Sequence, residues 1–311
     1  MRTVTSIVDL IGHTPMLRLA ELEPPCGAEL WAKLEAYNPG FSVKDRVGLA
    51  LVRAAEADGR LRAGGTIVEA TAGNTGLALA LVGRRAGYRV VLVVPESFSV
   101  EKQRLMRALG GEVVTTPTAD GMRGAKARAR SIAEATEGAV YVDQFSNAAN
   151  PEAHATTTGP EIWQQMDGRV DGLVAGCGSG GTFTGTARFL KQKNPGLVAI
   201  AVEPQGSVLA GGEPGPHEVE GIGMDTVYET MDLSLADEVV TVEDPDAFRW
   251  VRRLATDCGV LAGSSAGAAV HAAVRLAARL GAGRRVVTVI PDSSERYLSK
   301  KIYDLFTEET P

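Results

Sequence analysis

The sequence lacks any apolar run long enough to cross a bilayer: "VVLVVP" at 90–95 is among its longest, and a membrane helix needs ~20 such residues. Cysteine is scarce. Cys26, Cys177 and Cys258 make an odd number with no Cys-x-x-Cys spacing, which gives no disulfide framework or zinc site and suits reduced thiols in a cytoplasm. Four scattered histidines without a His-Glu-x-x-His pair leave no metal centre to expect. Positive charge is short as well: 32 Lys and Arg face 38 Asp and Glu, for a net charge of −6. Nucleic acid and anionic membrane surfaces both favour a basic face, so neither partner is expected. The first residues, "MRTVTSIVDLIGHTP", place Asp9 inside their only apolar patch and make a poor signal peptide. No internal repeat or low-complexity block stands out.

What is present is a globular composition, 44% hydrophobic and 23% charged over 311 residues, enough for two domains of ordinary size. Short β-rich runs alternate with helical ones. "TIVEA" (66–70), "YRVVLVV" (88–94), "EVVTT" (112–116) and "AVYVDQF" (139–145) mark strands in the first half. "GLVAGC" (172–177), "LVAIAVEP" (197–204), "EVVTV" (238–242) and "RRVVTVI" (284–290) mark them in the second. Strands apolar on both faces and separated by helices predict an α/β fold with parallel sheets. The Asn-rich "FSNAANPEAH" at 145–154 is the best candidate domain boundary. In such sheets ligands gather at the carboxyl ends of strands, so the strand-to-helix turns are where function is sought.

Four turns carry chemistry. "GCGSGGTFTG" (176–185) follows a strand and opens a helix. Gly178, Gly180 and Gly181 permit close approach of the backbone, Ser179 and Thr182 add hydroxyls, and the helix start favours an anion. A phosphate monoester, a dinucleotide and a plain turn all stay open here. Glu203 stands about 20 residues beyond Gly178 and Gly180, as a dinucleotide fingerprint asks, but Phe183 takes the place of its third glycine. "TAGNTG" (71–76) offers backbone donors for a carboxylate and Asn74 for a ring oxygen, or merely caps a helix. Lys44 in "NPGFSVKDR" (38–46) is a nucleophile only if burial, nearby cations or an imine suppress its charge; Asp45 and Arg46 beside it fit a surface ion pair equally well. Ser293, in "IPDSSERYLS" (290–299), stands at a strand end.

Together, in this order, these pieces resemble the pyridoxal-phosphate enzymes of the cysteine synthase and cystathionine β-synthase family. The resemblance runs from "IGHTPMLRL" (11–19) to "PDSSERYLSKKIY" (291–303) and includes "EATAGNTG", "QFSNAANPEAH", "TTGPEIW" and "EGIG" (220–223). It implies pyridoxal 5'-phosphate as cofactor and fold type II: two domains, each a mostly parallel twisted sheet flanked by helices. The smaller domain would span 36–148 and carry the asparagine loop; 1–35 and 149–311 would form the larger, with the phosphate loop. By the resemblance Lys44 matches the lysine that forms the imine with the cofactor, and Asn74 the residue on its ring hydroxyl. Gly178, Ser179, Gly180, Gly181 and Thr182 match the phosphate loop, and Ser293 the group at the pyridine nitrogen. Thr71, Ala72, Gly73, Thr75 and Gln144 match the groups that hold the substrate carboxylate. Ala72 departs from the common serine, which removes one hydroxyl.

The implied reaction is β-replacement on O-acetylserine or serine through an α-aminoacrylate, with homocysteine giving cystathionine or sulfide giving cysteine. "EGIG" and "ESFSVEKQRLMRALGGE" (96–112) are similar to bacterial cystathionine-forming members that use O-acetylserine, and Glu220 is a candidate for the amino group of the thiol substrate. A serine or threonine dehydratase is the alternative, although those relatives carry histidine where Thr75 stands. A dinucleotide-dependent dehydrogenase is the reading from outside the family. The expected partners are small amino-acid and thiol or sulfide substrates, and the expected form is a cytoplasmic homodimer without the regulatory module or haem-binding extension of animal cystathionine enzymes.

Overall fold

Strands that are apolar on both faces persist where helices cover both faces, and the computed structural model has that arrangement twice. It describes residues 3–307 except 26, 72 and 97. The chain divides into two compact units, Met1–Ile11 with Asn38–Asn150 and Gly12–Tyr37 with Pro151–Pro311.

Strands β1 (Met16–Arg18) and β2 (Glu29–Leu34) belong to the second unit. The first unit then runs α1 (Lys44–Ala57), β3 (Thr66–Ala70), α2 (Asn74–Arg85), β4 (Arg89–Pro95), α3 (Val100–Ala108), β5 (Glu112–Thr116), α4 (Gly121–Ala135) and β6 (Ala139–Tyr141). Its four strands are parallel in the order β5-β4-β3-β6. Side-chain alternation sends Ile67, Val90, Leu92 and Val94 to one face, against Val47 and Leu51 of α1 and Leu77 and Leu79 of α2. The other face sends Val68, Val91 and Val93 against Ala125 and Ala129 of α4. Each fully buried leucine or valine contributes about 1.5–3 kcal/mol relative to exposure. The strand expected over 139–145 stops at Tyr141, because Asp143 adopts a left-handed φ of 45° and the chain turns.

After α5 (Ala149–Ala153) and a π-helical turn at His154–Thr158, the second unit continues with α6 (Gly159–Gln165), β7 (Gly172–Gly176), α7 (Gly181–Lys193), β8 (Val198–Pro204), β9 (Glu238–Val242), α8 (Asp244–Cys258), α9 (Ser264–Leu280) and β10 (Arg285–Ile290). The sheet order is β1-β2-β10-β7-β8-β9, parallel except for the β1–β2 edge pair. Helices α8 and α9 cover one face through Phe248, Val251, Val270 and Leu276. Helices α6 and α7 cover the other through Ile162, Phe183, Ala187 and Leu190. Among the described residues no helix is long and apolar enough to cross a membrane. Both sheets aim their strand ends at the turns singled out above.

Candidate active site

In the first unit, Lys44 is the opening residue of α1 and is half-buried. The surface ion pair weighed for its neighbours fails: Asp45 is 0% exposed and Arg46 is 3% exposed. The Asp45 carboxylate accepts the Gly40 N–H, and Ser42 Oγ accepts the Lys44 N–H at 3.3 Å. The turn that carries the lysine is therefore pinned from both sides, and Ser42 and Val43 ahead of it are buried. Thr71 leaves β3 and donates its N–H to the Val93 carbonyl at 3.0 Å, while its hydroxyl oxygen accepts the Gly73 N–H at 3.2 Å. Gly73 caps α2, and half-buried Asn74 is the first residue of that helix. The buried Thr75 hydroxyl donates to Gln144 Oε1 at 2.6 Å. Ala72 lies outside the described residues.

In the second unit, Gly178, Ser179 and Gly180 join β7 to α7, with Gly181 and Thr182 as the first helical residues. The first N–H groups of a helix have no intrahelical partner and are free to meet an anion. Gly180 has φ of 87°, which a side chain disfavours. Gly178 is required for space: a Cβ there would stand 2.5 Å from the Gly221 carbonyl oxygen. The "EGIG" stretch is thus laid along the phosphate-loop candidate, and Gly223 N–H donates to the Cys177 carbonyl at 2.9 Å. The Ser179 carbonyl accepts the Thr230 hydroxyl. Thr182 Oγ1 lies 3.2 Å from Nε2 of the fully buried His154, whose Nδ1 is 2.9 Å from Thr158 Oγ1. Ser293 is half-buried after β10. Beside it the buried Tyr297 hydroxyl donates to Asp292, and burial with that carboxylate raises the Tyr297 pKa well above the usual phenol range. Glu220 is half-buried, its N–H donating to Ser264 Oγ at 2.9 Å.

The dinucleotide alternative loses its footing. Glu203 is 1% exposed and accepts from the Leu209 and Ala210 N–H groups at 2.7 and 3.0 Å and from the Thr241 hydroxyl at 3.0 Å. It is committed to its own loop rather than to a ribose. Cys177 is fully buried, and burial pushes its thiol up to about 12, which makes it packing rather than a nucleophile. Among the described residues no cluster of His, Cys, Asp or Glu could hold a metal ion.

Four groups escaped the sequence reading. Glu69, within β3, is 0% exposed, and burial with Asp143 nearby pushes its carboxyl up to about 8. His154, Asp292 and Lys102 are also buried beside the loops; a Cβ at Gly73 would stand 3.8 Å from Lys102 Nζ. Only Glu69 left a signal, a lone carboxylate in an otherwise apolar strand.

Each unit carries chemistry that pyridoxal phosphate asks for: in the second, amides and the Ser179 and Thr182 hydroxyls at a helix start suit a phosphate monoester, and in the first a partly desolvated lysine suits an imine. Comparison with known proteins agrees. The O-acetylserine dependent cystathionine β-synthase of Bacillus subtilis is 50% identical over 304 residues, covering 98% of this chain and 99% of the relative. A cysteine synthase of Helicobacter pylori is 46% identical, covering 97% of this chain and all of the relative. The crystal structure of the O-acetylserine dependent cystathionine β-synthase from Helicobacter pylori superposes with a TM-score of 0.93 at 45% identity, over 97% of this chain and 100% of that one. The pyridoxal-phosphate dependent enzyme family matches residues 7–292, and this chain belongs to it.

Proposed function

We propose that the protein catalyses β-replacement on O-acetylserine with a sulfur nucleophile, forming cystathionine from homocysteine and, as the second reading, cysteine from sulfide. The observation that carries it is the 50% identity, across 98% of the chain, to an O-acetylserine dependent cystathionine β-synthase. The second reading is favoured by the 46% identical cysteine synthase.

Lys44 would be the point of covalent attachment, Gly178 to Thr182 would hold the phosphate, Asn74 would serve the ring hydroxyl and Ser293 the pyridine nitrogen. Bound there, the cofactor supplies the electron sink for loss of a β-substituent. Thr71, Gly73, Thr75 and Gln144, with Ala72, hold the α-carboxylate and so fix the Cα–H bond. Once the substrate's amino group has taken the place of Lys44, the freed Nζ would accept the proton on Cα as general base. Ser293, uncharged, would give that nitrogen no carboxylate to keep it protonated, which would favour loss of the acetate group. The sulfur, its thiol proton lost to solvent, would then bond to the Cβ that acetate has left, Nζ of Lys44 would return its proton to Cα, and Glu220 would receive the ammonium group of homocysteine. On this reading the chain works as a cytoplasmic homodimer.

A steady-state matrix tests the proposal, with O-acetylserine, O-phosphoserine and serine as donors against sulfide and homocysteine. Thioether or thiol product from O-acetylserine is expected. Pyruvate as the sole product, whichever nucleophile is present, would move the protein to the dehydratases.

A further inference from the structure

The carboxyl group of Glu69 is completely buried, yet among the described residues it reaches no cation. Its Oε1 accepts from Gln144 Nε2 at 3.3 Å and from the Gln144 backbone N–H at 3.4 Å. Its Oε2 has no hydrogen-bond partner among the described residues. A buried carboxylate in this setting is costly, whereas a neutral acid is tolerable. The chain continues outward from there: Gln144 Oε1 accepts from the Thr75 hydroxyl at 2.6 Å, and the Gln144 carbonyl accepts from Asn150 Nδ2 at 2.7 Å. With one amide edge held by Glu69 and the carbonyl oxygen by Thr75, the Gln144 side chain has one orientation and one N–H to spare.

We infer that Glu69 is a positioning residue for the substrate's α-carboxylate, acting through Gln144 and, beyond it, Thr75. The inference rests on the reading of Gln144 and Thr75 as carboxylate holders. Neutral Glu69 aligns the amide; ionised Glu69 places a like charge behind the carboxylate subsite and weakens it. Asp143 acts in the same sense by raising the Glu69 pKa, Tyr141 senses both carboxyls, and Arg130 reaches Asp143 at 3.4 Å.

Equilibrium binding of L-alanine, which has no β-leaving group, tests this through the cofactor's absorbance. Loss of the Glu69 contact in Glu69→Ala should weaken L-alanine about five- to tenfold, as expected for one buried hydrogen bond, with the spectrum of the unliganded holoenzyme unchanged. Glu69→Gln, which still accepts from Gln144, should restore binding to about twofold of wild type. Wild-type affinity should carry a break near the Glu69 pKa of about 8, which Glu69→Gln lacks. Gln144→Ala separates the two levels. If it leaves L-alanine binding intact, the carboxylate reading itself is wrong. If it weakens binding while Glu69→Ala does not, only the role of Glu69 falls. Should Glu69→Ala fail to fold, the pH profiles of wild type and Glu69→Gln decide, and identical profiles overturn the inference.

Discussion

The contact between Gly178 and Gly221 sets a steric test of the phosphate loop. In Gly178→Ala the new methyl would lie 2.5 Å from the Gly221 oxygen, about 0.9 Å inside the 3.4 Å at which ordinary contact begins. The atom it meets is backbone, in a stretch tied to Cys177 by the Gly223 N–H, so no side chain can swing aside. Overpacking of this kind costs about 1–3 kcal/mol. If that cost falls on the conformation that binds the cofactor, affinity drops about 5- to 150-fold, since 1.4 kcal/mol is tenfold. Titrating apo-protein with pyridoxal phosphate and following its absorbance reads the loss, and a thermal melt reads any share taken by the fold. Gly196→Ala is the control, its Cβ meeting nothing nearer than 3.4 Å in an exposed turn of the same unit. Wild-type affinity together with wild-type melting in Gly178→Ala would refute the packing described here.

Two further outcomes are expected. Glu220→Gln should slow the homocysteine reaction about tenfold, as for loss of one charge-assisted contact, and the sulfide reaction far less; equal slowing removes Glu220 from thiol recognition. His271 accepts the Trp250 Nε1–H through Nδ1 at 3.1 Å, and burial holds its pKa below the usual 6.5, against the pull of Asp246. The folded state therefore binds fewer protons than the unfolded chain: this contribution to stability is complete above pH 6.5 and is lost as pH falls toward the folded pKa. Denaturant unfolding at pH 7.5 and 5 should show a smaller acid loss in His271→Asn than in wild type, and equal losses would contradict it.

The α/β class was legible because the central strands are apolar on both faces; TIVEA at 66–70 and YRVVLVV at 88–94 form much as the pattern predicts, as Thr66–Ala70 and Arg89–Pro95. The strand β2 was not, for its sequence ELWAKL carries a charge at its first and its fifth position. Lys33 is 0% exposed only because Glu161, the Thr14 carbonyl and Gln165 converge on its ammonium at 2.8, 2.7 and 2.7 Å. Two of those partners, Glu161 and Gln165, lie more than a hundred residues away and leave no local periodicity. The turns that hold Asn74 and Gly178 were visible as Gly-, Thr- and Asn-rich breaks after apolar strands, and that of Lys44 as a short polar turn ahead of an apolar helical stretch. Their specificity came from the set and its order, since each alone reads as a cap. The groups behind them, Glu69 and His154, act through contacts that tertiary structure creates.

The position of β10 has a consequence for how the second sheet is made. It separates β2 from β7, so the amino-terminal pair cannot join its sheet until residues some 250 positions later have left the ribosome, as the Glu29–Arg285 contact across 256 residues marks. The first sheet, by contrast, is complete once Tyr141 is translated. Early strands waiting that long expose unpaired edges, and non-local pairing is intrinsically slow. A nascent chain stalled before residue 285 should therefore protect 66–95 from protease while 16–34 is still cut.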